Sequence, residues 1–196
     1  MYLEIQTIIL LKKHLYILFL FGSFQLAFGQ TFSTNISANI GGLGFGYLSN
    51  GITVSGLGDL DGINLGITSI EMTITAGSSQ VKASIEMYLV APDGHAVYLM
   101  NQGSNFYTTN GLFIFTTDPT AQNFRTWPGT IAPNSTYTPY GNLSAFNIGI
   151  SANGNWRLYA VQKNFGQSAS VTSWKINFGT SNIVAGNKNQ SCSAAI

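Results

Sequence analysis

The chain has 196 residues, of which 13% are aromatic and only 8% charged, with 22 glycines and 5 prolines. So few Lys, Arg and Glu side chains exclude a nucleic-acid binder, which needs a basic face, and a helix-rich surface, which needs paired charges. Aromatic and β-branched residues spread among many glycines read as an all-β chain.

Residues 1–29 stand apart. Lys12, Lys13 and His14 precede the apolar run Leu15 to Phe28, and Ala27-Phe28-Gly29 sets small residues at both positions a signal peptidase reads. The pattern is that of a signal peptide cut between Gly29 and Gln30, which implies a secreted or cell-surface protein. A membrane anchor is the competing reading, but the three basic residues leave an apolar core too short to span comfortably, so no membrane span is expected after cleavage. Removing Lys12, Lys13 and Glu4 leaves six basic and six acidic side chains, and a neutral chain names no electrostatic partner. Cys192, as the sole cysteine, permits no internal disulfide. The fold must stand on its hydrophobic core, which a domain of about 150 residues can do.

Residues 30–50 are polar and then glycine-rich, a lead-in with at most an edge strand. Ile52 and Val54 make a short strand. In the loop that follows, Asp59, Asp61 and Asn64 place oxygen-bearing side chains around Gly62, a partial calcium-loop pattern, since a large hard cation takes several oxygens around a tight bend. The distal Glu of an EF-hand is missing, and a turn in which Asp and Asn bond their own backbone explains the same residues. Calcium is therefore the one cofactor candidate.

Ile67 to Thr75 is a strand in which Thr68, Ile70, Met72 and Ile74 share a face. Over Ser84 to Met100, Ile85, Met87, Leu89 and Ala91 alternate with Glu86, Tyr88 and Val90. Pro92-Asp93-Gly94 then turns the chain, and Ala96, Tyr98 and Met100 alternate with Val97 and Leu99. This is a β-hairpin, expected in the middle of a sheet. Leu112 to Phe115 is a continuous apolar run, as in a strand covered on both faces. Residues 118–137 form a long irregular connection that Phe124 and Trp127 pack down. Trp156, Leu158 and Ala160 alternate with Arg157 and Tyr159, and Val171 to Phe178 closes a last hairpin. Seven or eight strands parted by Gly, Asn and Ser turns argue a β-sandwich or jelly roll over residues 51–180. Residues 181–196 read as a linker or the start of a further module.

Four segments carry a resemblance. They are Ile85-Glu-Met-Tyr-Leu-Val-Ala-Pro-Asp-Gly-His95 with Val97 and Leu99; Tyr137-x-Pro139 with Leu143 and Phe146; Gly154-x-Trp156-x-Leu158; and Val171-x-x-Trp174-x-Ile176-x-Phe178. In this order, over about Ile52 to Gly179, the chain resembles the P domain (P/Homo B domain), the non-catalytic, galactose-binding-like jelly roll that follows the subtilisin-like domain of kexin and furin type convertases. It departs from the family at Ser84-Ile85, where an Asp-Leu pair is usual, at Gln162, where an Asp is usual, and in lacking a matching His. The apolar framework is kept and the polar groups tied to convertase docking are not. The resemblance implies an accessory module, associated with serine-type endopeptidases and proteolysis, that stabilises or docks a partner protein domain.

Catalytic machinery of its own is not expected, so no catalytic residue is assigned. His95 is the sole histidine past residue 29 and sits beside a turn, without a Ser and Asp in a recognisable setting. Glu71 and Glu86 each read as an exposed polar position on an alternating strand. One cysteine and one such histidine cannot supply zinc ligands. The rival function is an extracellular glycan- or surface-binding (adhesin-like) module that stacks sugars on Phe106, Tyr107, Trp127, Tyr137 and Tyr140, all placed in loops by this reading.

Overall fold

Strands whose alternate residues are apolar bury one face each, and two such layers closing on one another are the outcome here. The computed structural model describes residues 29–41, 44–48, 51–76, 85–100, 110–124, 132–162 and 168–180. Residues 1–28, within the segment read as a signal peptide, and residues 181–196 lie outside the described residues.

In chain order the strands are β1 (Gln30–Gly41), β2 (Gly44–Tyr47), β3 (Ile52–Val54), β4 (Asp59–Leu60), β5 (Gly66–Ala76), β6 (Ile85–Val90), β7 (Ala96–Met100), β8 (Gly111–Thr116), β9 (Gln122–Asn123), β10 (Ser135–Thr138), β11 (Ile150–Ser151), β12 (Gly154–Gln162) and β13 (Ser168–Gly179). Among the described residues one 3-10 turn, Leu143–Phe146, is capped by the Asn142 side chain, which accepts from the Ser144 N–H. No helix among the described residues is long and apolar enough to cross a membrane. One large sheet runs β1-β13-β5-β8-β10-β9, the second runs β2-β12-β6-β7 with β3 also pairing β12, and β4 and β11 form a separate two-stranded pair. The fold is an all-β sandwich. Among the described residues the count of thirteen exceeds the seven or eight expected because β4, β9 and β11 are two residues each, too short for a period to show, and because the residues read as a lead-in form both β1 and β2.

One core joins the sheets. Ile70, Met72 and Ile74 of β5, Phe113 and Phe115 of β8, and Trp174 and Ile176 of β13 meet Met87 and Leu89 of β6, Leu99 of β7, and Trp156 and Leu158 of β12. Both indoles are fully buried. The Trp156 ring crosses the core to Phe178 of the opposite sheet at 5.8 Å and meets Phe146 of the 3-10 turn edge-on at 5.2 Å. Its Nε1–H donates to the Ala152 carbonyl at 2.8 Å, satisfying a group that would be costly to bury unpaired.

Four expectations are corrected. First, β12 and β13 form no hairpin: β12 pairs β6 and β13 pairs β5, so the chain changes sheets between them. Periodicity gives each strand's faces and not its partner. Second, the hairpin β6–β7 has β7 at the rim of its sheet rather than the middle. Gly141 N–H donates to the Tyr98 carbonyl at 2.9 Å and Tyr140 N–H to that of Leu99 at 3.1 Å, capping the outer edge in part. Third, register shifts re-aim side chains. One between Met87 and Tyr88 leaves Leu99 as an extra residue in β7 and turns Met100 into the core, while another at Phe178 sets Ile67 inward and leaves Thr68 half-buried. Fourth, Leu112 and Ile114 are half-buried, so β8 has one fully covered face and not two.

The turn of the hairpin forms as the residues require. Gly94 has φ of 94° and donates to the Ala91 carbonyl at 3.0 Å, and the Asp93 carboxylate accepts from the His95 N–H at 3.1 Å. The residues read as a lead-in supply an edge strand to each sheet, with Phe32 of β1 edge-on against Phe178 at 5.9 Å. β1 lies antiparallel on β13, with Gln30 opposite Phe178.

The close pass at Gly141 is testable. A Cβ there would lie 2.9 Å from Val97 Cγ1, 3.1 Å from the Tyr98 carbonyl oxygen and 3.2 Å from its nitrogen, so Gly141→Ala must push a backbone segment off the β7 edge. The expected cost is about 1 to 3 kcal/mol, read as a lowered urea midpoint; an unchanged midpoint refutes the packing described.

Candidate functional site

The Asp59, Asp61, Asn64 loop is organised by one carboxylate. Asp61 Oδ1 accepts from the backbone N–H groups of Ile63 and Asn64 at 2.8 Å and of Leu65 at 3.1 Å, and Oδ2 accepts from the Asn64 side-chain amide at 2.7 Å. Gly62, with φ of 73°, permits the bend. Asp59 belongs to the β4–β11 pair, opposite Ser151. Asn64 presents its N–H groups to Asp61, so these two residues sit in a hydrogen-bonded Asx turn from which Asp59 stands apart, and a cation needing six or more oxygens would have to displace those donors. Among the described residues no group of three His, Cys, Asp or Glu side chains converges as metal ligands do. The donated hydrogen bonds, chiefly from Leu65 and Ile63, hold the Asp61 carboxyl well below the usual carboxylate range.

His95 and Asp93 face one another across the hairpin turn, Nδ1 to Oδ2 at 2.7 Å, both over a third exposed. Glu71 pairs with Lys175 at 3.0 Å and accepts from Asn177 at 2.9 Å, a polar cross-strand cluster on the outer face of the six-stranded sheet. Glu86 departs from expectation. It is 8% exposed and the one buried charged side chain among the described residues, taking the Tyr88 hydroxyl at 3.4 Å.

Of the aromatics assigned to loops, Tyr137 belongs to the core at 1% exposure, its hydroxyl bonded to both the N–H and the carbonyl of Ala132 at 2.9 and 3.1 Å. It is the third residue of the four-residue strand β10, where alternation over so short a run gives too little signal. Phe124 packs edge-on against it at 5.7 Å. Tyr140 lies against Tyr98, and Phe106, Tyr107 and Trp127 lie outside the described residues.

A feature the sequence reading missed gathers instead on the outer face of the five-stranded sheet. Tyr47 of β2 stands opposite Tyr159 of β12, Tyr159 opposite Tyr88 of β6, and Tyr88 opposite Tyr98 of β7. Four tyrosines thus form one row across four strands, about 14 Å at the usual strand spacing. Tyr140 extends the row. The ring centroids lie 5.2, 6.0, 4.1 and 5.9 Å apart in that order, with interplanar angles of 76°, 70°, 40° and 61°. Three of these contacts are edge to face, and the Tyr88–Tyr98 pair is tilted and closest. Arg157, two residues from Tyr159 and on the same face, lays its guanidinium 3.9 Å from the Tyr47 ring centre. Burial first, then the Tyr98 hydroxyl and the Glu86 carboxylate, push the Tyr88 phenol well above its ordinary value.

No family model matches the chain, and no curated protein matches it. Among solved structures it is similar to a serine protease of Aeromonas sobria, at 14% identity and a TM-score of 0.43. The match covers 78% of this chain and 27% of that one, so the chain spans about a quarter of the protease's length.

Two titrations check this geometry. Because folding lowers the Asp61 pKa, its carboxylate stabilises the fold above the unfolded value of about 4, and that stability fades as pH falls. Urea midpoints of Asp61→Ala should therefore lie below those of the parent at pH 7 and approach them near pH 2.5. Chelator and calcium should move neither protein's melting temperature, and a calcium-dependent rise abolished by the substitution would mark a metal loop instead. Folding raises the Tyr88 pKa, so its contribution is whole below about pH 10 and is lost as pH rises further. Tyr88→Phe should flatten the alkaline fall in stability, with one tyrosinate fewer appearing on unfolding at high pH.

Proposed function

We propose that the chain is a secreted, non-catalytic jelly-roll module of the P-domain kind, which stabilises or docks a partner domain in the context of subtilisin-like serine endopeptidases. One observation carries this reading: the four segments that resemble the P domain build a single core. Trp156 of the third segment touches Phe146 of the second and Phe178 of the fourth, and Leu89 of the first is buried in the same cluster. Residues far apart in sequence and shared with the family are thus the ones that hold the sheets together. The secreted location rests on the pattern of residues 1–29.

A docked module acts through linkage. Whatever binds the folded partner and not its unfolded chain raises the partner's stability, by about 2.7 kcal/mol at a hundredfold excess over Kd. The test adds the purified chain to subtilisin-like endopeptidases secreted by the source organism. Their melting temperatures should rise with dose, while the chain alone leaves casein uncut. Casein turnover by the chain alone, blocked by a serine-directed inhibitor, overturns the reading.

A further inference from the structure

The outer face of the five-stranded sheet has a charge pattern of its own. Glu86 of β6 lies opposite Val161 of β12, whereas Arg157 lies opposite Val90, so the two are four residues apart along the strand, about 13 Å. The carboxylate is nearly enclosed and engaged by Tyr88. The guanidinium rests on Tyr47, and its Nε is buried without a hydrogen-bond partner. Among the described residues no carboxylate pairs with Arg157, whose planar fork of five donors suits one. What the face offers a partner is therefore a cation set in a row of tyrosines, the two residue types that most often anchor protein interfaces.

We propose that this face docks an acidic segment of a partner protein, with Arg157 receiving a carboxylate and the tyrosine row supplying the surrounding contact. The inference rests on the docking reading above and names the surface and the partner's chemistry. Ring geometry favours a protein over a sugar. A pyranose stacks on an open ring face, yet the Tyr47 face carries the guanidinium, Tyr159 is 9% exposed, and the rings stand tilted against one another rather than flat. Tilted tyrosines instead present rigid edges at low entropic cost, as in binding loops of antibodies.

The test measures fluorescence anisotropy of labelled decapeptides with the full chain at low salt: alternating Glu-Tyr, alternating Lys-Tyr, and an oligogalacturonate of matching charge. The Glu-Tyr peptide should bind, the Lys-Tyr peptide should not, and binding should weaken as salt rises. Arg157→Gln should weaken it about tenfold or more. Tyr47→Ala, at a 43% exposed position, should weaken it too and serves alone if the arginine variant does not fold. Equal binding of the two peptides, no binding of the acidic one, preference for the oligouronate, or affinity unmoved in the folded variants each overturns the assignment. If the acidic peptide fails while the chain still raises an endopeptidase's melting temperature, docking stands and only this face is wrong.

Discussion

The sandwich depends on what Trp156 holds. Its indole touches the opposite sheet, through Phe178, and also the 3-10 turn, through Phe146, while its N–H fixes the Ala152 carbonyl. Ala152 in turn donates to the Gly58 carbonyl, which ties the β3–β4 loop to the base of β12. Two sheets, a turn and a loop thus converge on one side chain. Interiors pack as densely as organic crystals, so an indole in that place sets the sheet separation as well as contributing apolar area.

Much of this was legible in the residues. The alternation in Ser84 to Met100 assigned Met87 and Leu89 inward and Tyr88 outward, and Pro92-Asp93-Gly94 gave the turn, because both signals are local. The inward placement of Trp156 and Trp174 followed from the same period. Partner choice did not follow. That β12 joins β6 while β13 joins β5 is decided by long-range packing, and a register shift such as that at Leu99 reverses a face without any mark in the pattern of apolar residues.

The candidate surface shows the same division more sharply. Tyr47, Tyr88, Tyr98 and Tyr159 are spread over more than a hundred residues; the last three read singly as ordinary positions on alternating strands, and Tyr47 falls in the residues read as a lead-in. They become a row because three separate pairings agree in register. Glu86 likewise reads as a solvated polar residue, yet it is nearly enclosed and takes the Tyr88 hydroxyl. The Asp61 loop is the opposite case: its donors lie within four residues of the carboxylate, so the turn could be weighed against a metal from the sequence alone.

The pairing of β1 with β13 has a consequence for how the fold can be built into larger chains. With Gln30 facing Phe178, the first and last strands of the sandwich run side by side, and the two ends of the folded unit leave from one corner. A unit whose entrance and exit coincide can be spliced into a surface loop of a host without prying the host's own strands apart. It can equally hang from a single tether with its tyrosine-bearing sheet, the layer on the other side of the core, turned to whatever lies beside it.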